Sequence, residues 1–512
     1  MSPRVVVIGA GPGGLAAAML LAARGLRVQV FEKNAVIGGR NAELRLGDYS
    51  FDLGPTFLMM KFLLDEIFEQ SGRKLSDYLN CQLVDPMYRL NFADRSMMVY
   101  TDPQKMREEI DRVFPGEGAG LERFLVRERI RFKNLYPCLQ RPYESPLALL
   151  NPKLLAALPH IALGRSLYQV LADYFKSEEL RLAFTFQSKY LGMSPWDCPG
   201  LFSMIPYTEH AHGIYHVEGG LCRISQAMAT VAQEHGAEIH TSTAVRRVLT
   251  ENRRAVGVEL DSGERIEAEE VVINADFGHA MTHLFEPGVL RRYTAPKLAK
   301  RKWSCSAFMM YLGLDCIYRE AEHHMIVFAR GYKKNLDDIT HRWQCSEDFS
   351  LYIRNAAIHD PTTAPPGCSA LYILMPAPNN RSGIDWEKQK LVYREKILRL
   401  LEERTPYRNL AAHIREERIL TPKDWEQQLS VYQGATFNLG HSWDQMLFMR
   451  PHNRFEELDR CYLVGGGTHP GSGLPTIFES ARIASNMICD RYGVPHPAPN
   501  PKAFDGADWE LT

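Results

Sequence analysis

The feature that most constrains this chain is at its start, where Val5-Val6-Val7-Ile8 runs directly into Gly9-Ala10-Gly11-Pro12-Gly13-Gly14. The four apolar residues have no polar face, as expected of a parallel strand covered on both sides. Glycine stands at all three positions of G-x-G-x-x-G, where the turn must be tight, the backbone must approach a pyrophosphate and the helix must pack close to the sheet. The Ala-rich run to Ala23 reads as a helix, Gly25 as its stop, and Val28 to Phe31 as a second strand ending in Glu32. Glu32 follows Gly9 by 23 residues, where a carboxylate accepts the ribose hydroxyls of an adenosine and disfavours a 2′-phosphate. A dinucleotide-binding βαβ unit of an α/β fold is expected. The uncharged stretch Val5 to Ala23 is not read as a signal peptide or membrane span, because a Gly-Pro-Gly-Gly turn in lipid leaves backbone groups without partners. No second G-x-G-x-x-G occurs, so a separate nicotinamide site is not expected.

The 512 residues allow about three folding units at roughly 150 residues each. Lys plus Arg is 60 against 61 Asp plus Glu, a net of −1, which excludes bulk attraction to nucleic acid or anionic lipid. Ten cysteines without a C-x-x-C pair point to reduced thiols in a cytosolic setting, not to a disulfide framework or zinc module. His210, His212 and His216 have no Cys or acidic partner at ligand spacing, so no metal site is assigned.

Residues 57 to about 180 read as helices, with Phe62, Leu63, Ile67 and Phe68 at helical spacing. Between Ser145 and Phe175, leucines alternate with Lys153 and Arg165, while prolines 146, 152 and 159 cut the run into pieces too short to span a bilayer. That stretch is either core-forming or an interfacial segment dipping into one leaflet. A helix from Leu221 to Glu234 leads into strands at Ala244–Leu249, Ala255–Leu260 and Glu270–Ile273, with Asp261-Ser262-Gly263 as a hairpin turn. Phe308–Leu314 and Leu371–Leu374 are further strand candidates. Near the C-terminus, Cys461–Val464 reads as a strand, Gly465 to Gly473 as a glycine-rich turn, and Pro475 as the opening of a helix, with Thr476 and Glu479 at capping-box spacing.

Gly38-Gly39-Arg40 and Phe51-Asp52-Leu53-Gly54-Pro55-Thr56 resemble the continuation of the fingerprint in the FAD-containing amine oxidase and carotenoid desaturase superfamily. The C-terminal run Tyr462-Leu463-Val464-Gly465-Gly466-Gly467-Thr468-His469-Pro470-Gly471-Ser472-Gly473-Leu474-Pro475 closely resembles the signature of bacterial-type phytoene desaturases. Gln187 to Gly192, Pro206-Tyr207, Gly219-Gly220-Leu221 and Arg450 to Arg454 are similar to that family as well, so the resemblance spans most of the chain. Related amine oxidases carry Gly-Glu-x-Thr where this chain has Gly467-Thr468-His469, which counts against an amine substrate.

The resemblance implies a Rossmann-like FAD domain built from residues 1–75, 219–290 and 446–512. It also implies a helical, membrane-associating region at 76–218 and an α+β substrate domain at 291–445. The FAD contacts it implies are Gly9, Gly11, Gly13, Gly14, Glu32, Lys33, Gly39, Arg40, Pro55, Thr56, Val245, Asn274, Ala275, Gly466, Gly467, Gly473, Leu474, Pro475 and Thr476. The glycine-rich turn before the last helix would set N–H groups and a positive dipole end beside the flavin, favouring hydride acceptance. The implied reaction is desaturation of a lipophilic acyclic carotenoid, phytoene or its C30 counterpart, with quinone or oxygen as the electron acceptor and no nucleic-acid partner. The setting would be the cytoplasmic side of a membrane, held peripherally. Glu209 and His469 are the candidate proton acceptors, each within a family-like segment. The alternatives are an oxygenase or ketolase acting on a preformed carotenoid, and a flavin-free prenyl-binding protein of the same fold.

Overall fold

The computed structural model describes residues 2–500; the last dozen residues of the expected 446–512 segment lie outside it. The strand Arg4–Ile8 sits at the centre of a five-stranded parallel sheet. Arg27–Phe31 and Glu238–His240 lie on one side of it, and Glu270–Ile273 and Cys461–Leu463 on the other. Val7 pairs with both Val30 and Val272, and all three are buried, as a sheet covered on both faces requires. The helices Pro12–Ala23, Cys222–Glu234 and Leu474–Arg491 pack on one face through Leu15, Met19, Met228 and Ile488. An antiparallel meander of Val245–Glu251, Arg254–Leu260 and Arg265–Glu267, together with the helix Phe277–His283, covers the other.

A second sheet of seven strands has the spatial order Ile414–Leu420, Ser306–Leu314, Ser369–Ala377, Leu351–Asn355, His324–Val327, Tyr88–Asn91 and Ser96–Val99. Ser306–Leu314 is buried along its whole length. The helix Trp386–Arg404 covers one of the sheet's faces, with Trp386 and Ile397 packed against Phe308 and Ile373.

The expectation of helices throughout 57–180 is corrected by strands at Leu58–Met59, Cys81–Leu83, Tyr88–Asn91 and Ser96–Val99. These strands are three or four residues long at most, and Tyr88–Asn91 is fixed by parallel pairing with a strand more than 200 residues away. A periodicity window cannot detect that pairing. Thr476 and Glu479 do not form a capping box. Gly473 caps the last helix without a side-chain bond, Thr476 donates to the carbonyls of Gly471 and Gly473, and Glu479 is drawn inward by the buried Arg482. The stretch 145–175 is broken into Pro146–Leu150, Pro152–Ala157, Leu158–His160 and Leu167–Leu171. No described helix is long and apolar enough to cross a membrane. All ten cysteines are free.

Candidate active site

Two helix N-termini open onto one cavity of about 500 Å³. One belongs to Pro12–Ala23, behind the first glycine-rich turn; the other to Leu474–Arg491, behind the second. Each presents unsatisfied N–H groups and a positive dipole end. Gly473 has φ +113°, which a residue with a Cβ rarely adopts. A Cβ on Gly14 would stand 2.2 Å from the carbonyl oxygen of Gly9. The side-chain amide of Asn274 fills the space under this turn, so a Cβ on Gly11 or Gly13 would strike it at 2.7 or 2.6 Å. The turn's demand for glycine thus comes partly from Asn274 and partly from any ligand above it.

Glu32 is buried and faces the cavity. Its Oε2 accepts from the Ala10 N–H, and its Oε1 accepts from the backbone and side-chain N–H groups of Asn34, all at 2.9 Å. Three donors take up most of a carboxylate's acceptor capacity, so a ribose contact would share Glu32 with the protein. Arg40 is ion-paired with Asp276. Asp276 also accepts from the His279 and Tyr432 N–H groups and from Asn438 Nδ2, tying four segments to the cavity rim.

Of the residues expected to hold a cofactor, Gly9, Gly11, Gly13, Glu32, Lys33, Gly39, Arg40, Pro55, Thr56, Val245, Asn274, Ala275, Gly466, Gly467, Gly473, Leu474 and Pro475 line this one cavity. Gly14 lies behind the turn and Thr476 inside the last helix; neither is on the wall. Sequence reasoning missed Asn438, Thr436 and Ser306, which also line it. Asn438 Oδ1, Thr436 Oγ1 and Ser306 Oγ are buried without hydrogen-bond partners among the described residues, as polar groups awaiting a polar ligand would be. No motif marks them: Thr436 and Asn438 share one loop and Ser306 opens a strand, all outside the glycine-rich turns. A flavin dinucleotide fits this donor and acceptor set.

The rest of the cavity wall is largely apolar, with Phe57, Met59, Phe186, Ile326, Leu351 and Leu374. Lys189 is its one unpaired cation among the described residues, with Nζ 4.7 Å from the Tyr332 ring centre and burial pushing its ammonium down to about 7. Glu209 does not reach the wall. It accepts hydrogen bonds from Tyr88 and Tyr190 at 2.9 Å and from Gln187 at 2.8 Å, and the two tyrosines are on the wall. Burial pushes the Glu209 carboxyl up to about 7, opposed by those three donors.

His469 also lies off the wall. It is buried edge-on against Tyr143 with ring centres 5.0 Å apart, and burial followed by the Arg450 charge pushes it down to about 3. His210, His212 and His216 diverge: the first faces the Tyr100 carbonyl, the second packs on Phe62 and the third faces Asp360.

Residues 12–489 match the model of the flavin containing amine oxidoreductase family. The chain belongs to that family. It is 52% identical over 490 residues, 96% of each chain, to a 4,4′-diapophytoene desaturase (4,4′-diapolycopene-forming) of Methylomonas sp.. It is 37% identical over 497 residues, 96% of this chain and 94% of the relative, to an all-trans-zeta-carotene desaturase of Myxococcus xanthus. These matches place the flavoprotein among the bacterial-type carotenoid desaturases. The solved cyclohexylamine oxidase of Brevibacterium oxydans shares the fold, with a TM-score of 0.62 at 17% identity over 96% of this chain and all of the other.

Proposed function

We propose that this flavoprotein binds FAD and desaturates an acyclic carotenoid precursor of the C30 diapophytoene type, with quinone or oxygen taking the electrons onward. The observation that carries this reading is the single cavity in which a two-helix dinucleotide cradle opens directly into a long apolar wall. What the flavin supplies when bound is two-electron hydride acceptance. With the dinucleotide bound, Gly9, Gly11, Gly13 and Gly39 would let backbone approach its pyrophosphate, Arg40 would offer it a guanidinium, and Glu32 and Lys33 would hold the adenosine. Gly466, Gly467, Gly473, Leu474 and Pro475 would hold the flavin ring at the second helix N-terminus, whose positive end would favour a reduced, anionic ring. Phe57, Phe186 and Ile326 exclude water and hold a polyene chain, so positioning contributes most of the acceleration. Glu209 is a positioning residue that fixes the Tyr88 and Tyr190 rings against the substrate, and His469 supports the glycine-rich turn from behind.

The substrate is bilayer-soluble, and the exposed leucines 147, 150, 155, 158 and 163 supply a matching surface. With Lys153 among them, they form the face that we infer rests peripherally on the membrane. The test is product analysis. FAD-loaded protein is incubated with liposomes carrying diapophytoene or phytoene, and the extracted lipid is expected to show longer conjugated chromophores, formed faster from the C30 substrate. Recovery of both substrates unchanged would contradict the proposal.

A further inference from the structure

Each desaturation removes a hydride and a proton from adjacent carbons, and a cavity filled with hydrocarbon holds no water to take the proton. A wall residue with a route to solvent must accept it. Tyr352 is on the wall, and its hydroxyl is within 2.5 Å of Thr56 Oγ1 and 2.8 Å of His324 Nδ1. The His324 ring centre is 4.4 Å from that of His323. His323 Nδ1 is 2.8 Å from Nδ1 of His359, and His359 is exposed. A line of side chains therefore runs from the substrate cavity to the surface.

The neighbours of this line fix its protons. Arg354 Nε donates to His323 Nε2 at 3.4 Å, and a guanidinium cannot accept, so the His323 proton is on Nδ1 and points to His359. In the relay the Tyr352 hydroxyl is the donor across its 2.8 Å contact with His324 Nδ1, so that the His324 proton sits on Nε2, a buried atom with no hydrogen-bond partner among the described residues. Arg354 also donates to Asp52 at 2.8 Å and faces His216 at 3.2 Å, while His216 is 2.8 Å from Asp360. Burial, then the neighbouring His324 ring and Arg354, hold His323 well below the usual histidine range, and burial and Arg354 do the same to His324.

We propose that Tyr352, His324, His323 and His359 are the proton exit of the desaturation reaction, with Thr56 orienting the Tyr352 hydroxyl; this rests on the desaturase reading above. As the hydride leaves one carbon, the C–H bond of its neighbour breaks and that electron pair becomes the new π bond. The proton goes to the Tyr352 oxygen while the phenolic proton moves to His324 Nδ1. The proton on His324 Nε2 passes to His323 Nε2 once the His323 ring turns from its long contact with Arg354. The proton on His323 Nδ1 passes to His359, which releases one to water from Nε2. Glu209 has no such route, being enclosed by Tyr88, Tyr190 and Gln187.

The test follows proton release and flavin bleaching together. FAD-loaded protein meets diapophytoene liposomes anaerobically, in weak buffer with a pH indicator. In the wild type the proton is expected in bulk water as fast as the flavin bleaches. In His359→Ala, an exposed change that spares the core, it is expected to lag by roughly tenfold or more, the scale on which acid–base assistance operates. Added imidazole is expected to abolish the lag. Nitrogen-15 spectra of the substrate-free protein are expected to show His323 protonated at Nδ1 and His324 at Nε2. Proton release from His359→Ala at the wild-type rate, a lag that imidazole leaves untouched, or the opposite tautomers would overturn the relay alone. Wild-type protein that never bleaches would overturn the desaturase reading and the relay with it.

Discussion

Arg450 Nη2 donates to the carbonyl oxygen of Gly466 at 2.7 Å. The same guanidinium bonds the carbonyls of Thr468, Gly440, Gln445 and Leu439, is fully buried, and meets no carboxylate within salt-bridge distance among the described residues. The charge thus serves as a five-pronged clamp that holds the second glycine-rich turn at the cavity. Arg450→Met is expected to orphan those carbonyls and cost about 3 kcal/mol or more. A thermal melt and the flavin content after gel filtration check this. Melting at the wild-type temperature with full flavin would contradict the clamp.

Gly14→Ala forces a Cβ to 2.2 Å from the Gly9 carbonyl, in backbone that has no room to yield. The protein is expected to purify without bound flavin. Gly72→Ala, where nothing lies within 4 Å, is expected to keep the flavin and lose only about 1 kcal/mol from its left-handed backbone. Visible absorption of the two purified proteins distinguishes them.

Glu209 sets a pH dependence of stability. Burial raises its carboxyl from 4.5 to about 7, so the native state keeps a proton that the unfolded chain has released. That stabilisation is complete below about pH 4.5 and is lost as the pH climbs through about 7, amounting to about 3 kcal/mol across the window. The melting temperature of the wild type is therefore expected to fall from pH 5 to 7.5 relative to Glu209→Gln, whose profile lacks this component. Parallel profiles would contradict the raised value.

The proposed membrane contact of the exposed leucines is testable by vesicle flotation. Leu147, Leu150, Leu158 and Leu163 are each more than half exposed, and each is expected to contribute about 1 kcal/mol on entering a leaflet. Changing all four to Ser is expected to release the protein from vesicles while flavin content and melting temperature stay unchanged. Undiminished flotation would place the contact elsewhere.

The legible part of this molecule is the part that local backbone geometry dictates. Gly9 through Gly14 and Gly465 through Gly473 are tight turns between strand and helix, so their residue types announce them. Glu32 is readable because a strand ends at a fixed distance. Asn438, Thr436 and Tyr352 carry no such mark, since each reaches the cavity through strand pairing or loop packing set by distant segments, and His324 stands behind Tyr352 for the same reason. Tyr88 to Asn91 reads as part of a helical region because four residues show too little alternation to compete with the helices around them. Glu479 looked like a capping residue because spacing alone cannot reveal Arg482 pulling it into the core. Glu209 and His469 sit in family-like segments, yet they support the wall from behind and do not form it.

The most direct test of the account is to load the protein with FAD, exclude oxygen and add diapophytoene in liposomes while recording flavin absorption and the lipid chromophore. The account predicts that the flavin bleaches once per double bond formed, with one equivalent of longer polyene for each flavin reduced. A flavin that stays oxidised, or that bleaches while the hydrocarbon is recovered unchanged, would contradict it.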